Sequence, residues 1–203
     1  MTRLLATIAI LTVLAGCAAT RGGRGQGNVQ FDFGPLPATA PAAAATQLPP
    51  LVIPNVTGPA SLDNQRMLYR LNYANPMQAR FYSQNHWAST PLDLITQRIK
   101  ARIAQGGTKV LSATDASNGA YLLRIEVDDF AHTFASTTES AGVVRLRASL
   151  FEGSRFIDQK TFVQSMPAPS ADASGGAHAL AAATDAVSDG IMAWIGSLPP
   201  RPR

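Results

Sequence analysis

The stretch SLDNQRMLYRLNYANPMQARFYSQNHWASTPLDLITQRI, residues 61–99, holds the signals that decide the fold. It opens with the turn-forming residues SLDNQ, and the run RMLYRLNY that follows predicts a strand. Near its end Thr90 is placed to cap a helix, Pro91 suits the first helical position, and Asp93 sits favourably in the first turn. A strand followed by a well-capped helix is therefore the local pattern around which the rest of the chain is organised.

That helix is predicted to continue until the pair Gly106-Gly107, which ends it. Its apolar residues recur at helical spacing and form one stripe: Leu92, Ile95, Ile99 and Ile103. A second helix is predicted in GAHALAAATDAVSDGIMAWIGSL near the end of the chain. Its stripe would dock on a sheet and consists of Leu180, Val187, Ile191, Trp194 and Leu198.

Three strands between the helices are predicted from alternating apolar and polar residues. They lie in AYLLRIEVDDF, VVRLRASLF and RFIDQKTFV, and a tight Gly153-Ser154 turn joins the last two. Upstream, VQFDFG and PLVIPNV read as short strands, and the latter could form a hairpin with RMLYRLNY. A further short strand is placed near Val110. The Pro- and Ala-rich piece at 35–50 is expected to run extended over the surface.

The resulting order, β-β-β-α-β-β-β-β-α, predicts an α+β fold. We expect a two-layer sandwich with a mostly antiparallel or mixed sheet of about six or seven strands and two main helices on one face. Its domain would occupy residues 29–198, with a tail at 199–203.

The start of the chain predicts export and lipidation. Arg3 precedes an apolar run at residues 4–14. Eleven residues fall well short of the roughly twenty that a membrane-spanning helix needs, so the run reads as the core of a secretory signal. Leu14-Ala15-Gly16-Cys17 then resembles the bacterial lipobox, in which a peptidase cuts before a lipid-bearing cysteine. The alternatives are a buried free cysteine or an uncleaved anchor.

On this interpretation residues 1–16 are a cleaved signal peptide, and Cys17 carries diacylglycerol and N-acyl chains such as palmitate. Resemblance to bacterial lipoproteins adds that Ala18 and Ala19, in place of an aspartate, favour sorting to the outer membrane. Residues 17–28, rich in Gly, Arg and Ala, would form a flexible tether. We therefore expect a lipid-anchored protein on the periplasmic face of the outer membrane.

Signals for catalysis or nucleic-acid binding are weak. The net charge of +4 is dispersed, so no nucleic acid is expected as partner. No nucleophile elbow, metal-binding His pair, Walker loop or C-x-x-C motif is present, and an enzyme, a metal or another cofactor is not expected. His86, His132 and His178 read as surface or hydrogen-bonded structural histidines. Asp128 and Asp129 are neighbours in a strand and are expected on opposite faces.

The order of motifs resembles the ABC-type transport auxiliary lipoproteins, a family that includes the lipoprotein of the paraquat-inducible intermembrane transport system. The resemblance rests on Tyr69-Arg70-Leu71, the stretch from Tyr82 to Trp87, Thr90-Pro91, and the later strand and helix segments. It implies a non-catalytic accessory that docks a periplasmic mammalian-cell-entry (MCE) protein at the outer membrane. Such systems move phospholipid or other hydrophobic molecules between the two membranes.

Candidate partner contacts are Arg80, Phe81, Tyr82 and Trp87, the last two at the ends of a predicted loop, because aromatic and arginine side chains dominate interface energetics when partly exposed. The alternative for Trp87 is that it fixes the helix start onto the sheet. Two other functions stay open: an outer-membrane assembly or envelope-scaffold lipoprotein, and a direct lipid carrier, which would need a sizeable apolar cavity. Homo-oligomerisation also stays open.

Overall fold

The computed structural model describes residues 28–38, 48–112, 114 and 120–199. The predicted signal peptide, Cys17, most of the tether and the tail from residue 200 lie outside the described residues. In chain order the elements are β1 (Val29–Phe31), β2 (Leu51–Val52), a 3₁₀ turn (Ala60–Leu62), β3 (Arg66–Leu71), β4 (Arg80–Trp87), α1 (Pro91–Gln105), β5 (Val110–Leu111), β6 (Tyr121–Phe134), β7 (Ser140–Glu152), β8 (Arg155–Pro167) and α2 (Ala173–Ser197). The described part of the chain thus forms one mixed sheet of eight strands with two helices, an α+β fold as predicted.

The sheet is built on an antiparallel meander of three long strands, β6, β7 and β8, as the alternating sequence predicts. Gly153 turns the chain between β7 and β8 with φ of 59°, a conformation that favours glycine. The β6 strand pairs with β7 along its whole length. Its other edge is shared by β2, a bridge from Thr57, and β3, all running parallel to it.

Two predictions about the first strands were wrong. PLVIPNV does not form a hairpin with RMLYRLNY: β2 pairs with β5 and β6, whereas β3 pairs with β4 and β6. The length of β6, 14 residues, gives room for both strands in series along one edge. The stretch from Tyr82 to Trp87, expected to be a loop, belongs to the eight-residue strand β4, which explains why the described sheet exceeds the predicted six or seven strands.

Helix α1 follows the prediction closely. The Thr90 hydroxyl oxygen accepts a hydrogen bond from the backbone N–H of Asp93 at 3.2 Å, and Gly106 caps the other end. Three residues of its stripe are fully buried, and Leu92 packs partly buried against the core. Helix α2 begins at Ala173, where Asp172 caps it by accepting from Gly175 N–H at 2.8 Å.

The core lies between the helices and one face of the sheet. α2 packs over β6, β7 and β8, and α1 lies beside it. Gly142 of β7 allows a very close approach, since a Cβ there would lie 2.5 Å from the backbone nitrogen of Leu180. The predicted stripe of α2 is buried at Leu180, Val187, Ile191 and Trp194, whereas Leu198 lies beyond the helix as its cap and stays partly exposed.

The expectation that Asp128 and Asp129 point to opposite faces was wrong. The register of β6 against β7 shifts between Val127 and Asp129, and a bulge of this kind adds one residue and moves the pattern by one. Both carboxylates therefore lie on the outer face. Asp129 binds Arg70 at 2.8 Å, and Asp128 lies 3.6 Å from Arg147, which also binds Glu126 at 2.8 Å.

Candidate functional site

The four predicted contact residues all lie on β4, which is enclosed between β3 on one side and β1 on the other. Arg80, Phe81 and Tyr82 are half-buried at its start, and Trp87 is buried at its end. The strand thus brings the first three together and places the fourth about 16 Å away, at roughly 3.3 Å per residue. The four residues therefore do not form one site: Arg80, Phe81 and Tyr82 lie at one end of β4, and Trp87 lies at the other.

Trp87 belongs to the core. Its side chain is 1% exposed, its ring meets Phe33 edge-on with centroids 5.6 Å apart, and Phe130 lies 5.7 Å away. A ring in this position offers no surface to a partner in this structure. Its location just before the Thr90 cap agrees with the alternative interpretation, in which Trp87 fixes the start of the helix onto the sheet.

Arg80 and Phe81 form the accessible part of the predicted site. Arg80 donates from Nε and Nη2 to the Oε1 atom of Gln78, at 3.1 and 2.7 Å. Because Gln78 is neutral, this bond orients the guanidinium without cancelling its charge. The ring of Phe81 is covered by the guanidinium of Arg66, whose Cζ lies 3.6 Å from the ring centroid. Such stacking keeps both groups partly exposed and ordered.

Tyr82 faces inward and joins a buried aromatic cluster. Its hydroxyl hydrogen-bonds with Nδ1 of His132 at 3.0 Å, and its ring lies against Tyr69 with centroids 4.7 Å apart. Phe134 packs on His132 from the other side, at 4.4 Å. Burial raises the pKa of the Tyr82 phenol, so the group stays neutral. Tyr82 therefore stabilises the position of β4 from the core side of the sheet.

His132 is the hydrogen-bonded structural histidine that one of the two sequence interpretations allowed. Its side chain is 0% exposed, and burial lowers its pKa to about 4. The imidazole is thus neutral at physiological pH, when its Nδ1 shares a hydrogen with the Tyr82 hydroxyl. Its sequence context, alternating with Phe130 and Phe134, is the signal that could have placed it in the core.

The tip of the β3–β4 hairpin, residues 72–79, carries exposed apolar side chains that the sequence interpretation did not single out. Met77 is 92% exposed and Tyr73 is 49% exposed. The loop is nevertheless held in place, since Asn72 N–H donates to the Phe134 carbonyl at 2.9 Å and Met77 N–H donates to Asn75 Oδ1 at 3.0 Å. The sequence signal for this exposed apolar surface is Met77, an apolar residue that follows Asn75-Pro76 within an otherwise polar turn.

A cavity of about 540 Å³ opens between the segment after β1 and the two helices. Its wall combines apolar groups, such as Phe31 and Ala181, with the ion pair between Arg98 and Asp185. The Arg98 side chain is already satisfied, because it donates to both Asp185 oxygens and to the carbonyl oxygens of Phe33 and Gly34. The cavity is therefore lined by apolar groups together with one ion pair whose hydrogen bonds are already made within the protein.

The described ranges lack a membrane-spanning helix and a cluster of metal ligands. No helix in residues 28–38, 48–112, 114 or 120–199 combines the length and apolar character needed to cross a membrane. In the same ranges, no three or more His, Cys, Asp and Glu side chains are grouped as metal ligands would be.

Comparison with known proteins agrees with this architecture. A model of the family described as "ABC-type transport auxiliary lipoprotein component" matches residues 31–192. A solved structure of a Xanthomonas campestris protein superposes with a TM-score of 0.69 at 22% identity, covering 82% of this chain and 93% of that chain. A second, an uncharacterized protein, gives 0.67 at 18% identity, covering 83% and 99%.

At these identities the two structures show a shared fold and nothing further. Comparison with curated proteins gave no match. The family match, by contrast, runs from the end of β1 to the last turns of α2 and so takes in nearly the whole described domain. The chain belongs to the ABC-type transport auxiliary lipoprotein family.

Proposed function

We propose that this chain is a non-catalytic accessory of an ABC transport system, anchored in the outer membrane, and that it docks the system's periplasmic MCE-domain protein there. The observation that carries the proposal is the family match over residues 31–192, which makes the chain an auxiliary lipoprotein of ABC-type transport. The cargo would be phospholipid or another hydrophobic molecule passing between the two membranes.

Support for the anchor comes from the start of the sequence. An apolar run too short to span a bilayer is followed by Leu14-Ala15-Gly16-Cys17, so residues 1–16 would be removed and the Cys17 sulfur acylated. Each buried methylene contributes about 0.8 kcal/mol, and two or three chains hold a protein on a membrane stably. Ala18 and Ala19 favour the outer membrane, with the folded domain facing the periplasm.

The contact surface for the MCE protein would be the pair formed by Arg66 and Phe81; Arg80 precedes Phe81 in the strand and so lies on the opposite face of β4, the face of Tyr82. The pair combines a partly exposed aromatic ring with a guanidinium group, the chemistry enriched at interface hot spots. Tyr82 and Trp87 would act indirectly: Tyr82 braces β4 through His132, and Trp87 fixes the far end of the strand in the core.

Affinity purification from detergent-solubilised envelopes tests both parts of the proposal. The wild-type chain should recover an MCE-domain protein, and Phe81→Ala should recover several-fold less. Phe156→Ala is the control, because Phe156 is another strand phenylalanine with an accessible ring, but it lies on the distant strand β8 and packs on Phe151. Equal recovery by the two variants would refute the surface, and no recovery by the wild type would refute the MCE partnership.

A further inference from the structure

The hairpin tip combines exposed apolar side chains with an ordered backbone. Met77 is almost wholly exposed and Tyr73 is half exposed, yet residues 72–79 contain no charged side chain. Backbone hydrogen bonds from Ala74 and Asn75 to the Leu71 carbonyl, at 3.0 and 2.8 Å, hold the turn. An ordered loop that displays Met and Tyr to solvent has the composition of a segment that enters the interface of a membrane.

The direction of β1 indicates which end of the sheet is nearer to the anchor. β1 runs parallel to β4, with Val29 opposite Asn85, so the first residue of β1 is the end that faces the start of β4 and the hairpin tip. The five residues from Asn85 back to Arg80 span about 17 Å. The eleven residues from Cys17 to Asn28 reach at most about 40 Å, so a lipid on Cys17 can lie level with the tip but not far beyond it.

Charges near the tip permit such a contact. Arg80, at the base of the loop, donates its hydrogen bonds to the neutral Gln78 and so keeps its positive charge. Glu139, on the neighbouring β6–β7 turn, offsets part of this charge. Attraction to anionic headgroups would therefore be modest, and burial of Met77 and Tyr73 would supply most of the interaction.

We propose that the hairpin tip inserts into the headgroup layer of the membrane that holds the acylated Cys17, with Met77 as the deepest side chain. This inference rests on the proposed lipid anchor and adds a second point of attachment to it. Two points fix the tilt of the domain, whereas a single flexible tether leaves it free to rotate. The pair of Arg66 and Phe81 would then stand just above the lipid.

Fluorescence of the full-length lipoprotein in phosphatidylethanolamine/phosphatidylglycerol vesicles tests the insertion. Met77→Cys is labelled with an environment-sensitive dye, since the acylated Cys17 sulfur does not react. Val163→Cys is the matched control, because Val163 is an exposed apolar residue on β8, roughly half-way along the sheet from the tip. We expect a blue shift and several-fold stronger quenching by lipids with shallow nitroxides at position 77 than at position 163.

Flotation of the vesicles separates the possible failures. If the protein floats with the lipid but the dye at position 77 reports water, the insertion is refuted and the anchor stands. If the protein does not float, both are refuted. A blue shift at position 77 that disappears when the protein is diluted within the vesicles would instead assign the tip to contact with a second copy, and would also overturn the insertion.

Discussion

The ion pair between Arg98 and Asp185 gives the sharpest test of how the two helices are held together. The Arg98 side chain is 6% exposed and that of Asp185 14%. Arg98 donates to the two Asp185 oxygens at 2.6 and 2.7 Å. The substitution Asp185→Asn keeps the shape of the side chain but leaves a buried guanidinium without its counter-ion. Removing one partner of a buried pair lowers the free energy of unfolding by about 3–5 kcal/mol.

Asp189 provides a matched control one turn further along α2. It binds Arg102 of α1 in the same two-oxygen arrangement, at 2.8 and 2.9 Å, but its side chain is 46% exposed. Solvent screens such a pair, and exposed pairs contribute about 1 kcal/mol or less. We therefore expect Asp185→Asn to cost at least about 2 kcal/mol more than Asp189→Asn.

Urea unfolding followed by tryptophan fluorescence measures this difference, since Trp87 and Trp194 are both buried and report on loss of the core. The midpoint should fall far more for Asp185→Asn than for Asp189→Asn, with the slope unchanged. Equal losses for the two variants would refute the reasoning, because the two pairs share their geometry and differ mainly in burial.

Three further predictions concern pH, packing and the anchor. Burial lowers the pKa of His132 from 6.5 to about 4, so between these pH values the unfolded chain binds the proton more readily than the folded one. Acidification from pH 6.5 to 4 should therefore lower the free energy of unfolding by up to about 3 kcal/mol. His132→Phe should lose less stability over the same pH range, and an equal loss of stability would contradict this. Gly142→Ala should lower the melting temperature because its Cβ would meet the backbone of α2, whereas Gly196→Ala, which finds only an ordinary contact at 3.7 Å, should not. Cys17→Ser should leave the outer-membrane fraction on density-gradient separation, and unchanged fractionation would contradict the lipid anchor.

Local signals account for the parts of the fold that the sequence predicted. Helix α1 has its cap, its first-turn proline and its apolar stripe within 18 consecutive residues, 90–107, so no distant partner is needed to recognise it. The β6–β8 meander likewise shows its alternation and its turn within each segment. The strand near Val110 was also correctly placed, as β5, although it has only two residues.

Non-local pairing explains what was missed. The middle of β4, Ser83 to His86, is polar and lacks the alternation of a half-buried strand, so it reads as a loop; backbone pairing with β3 and β1 makes it a strand. The burial of Trp87 depends on Phe33 and Phe130, which are 54 and 43 residues away in the sequence. The bulge between Val127 and Asp129 cannot be predicted from the alternation of apolar and polar residues, because it is defined by the register of β6 against β7.

The short strand β1 determines how the domain would respond to tension from its anchor. A pull on the chain ahead of Val29 acts along the strand axis, so it shears the pairing with β4 all at once instead of peeling it bond by bond. Two residues after β1, the ring of Phe33 packs against Trp87 and Phe130, and Arg98 donates hydrogen bonds to the carbonyl oxygens of Phe33 and Gly34. The three paired residues of β1 and the buried ring of Phe33 would thus be the first contacts to bear a force applied through the anchor.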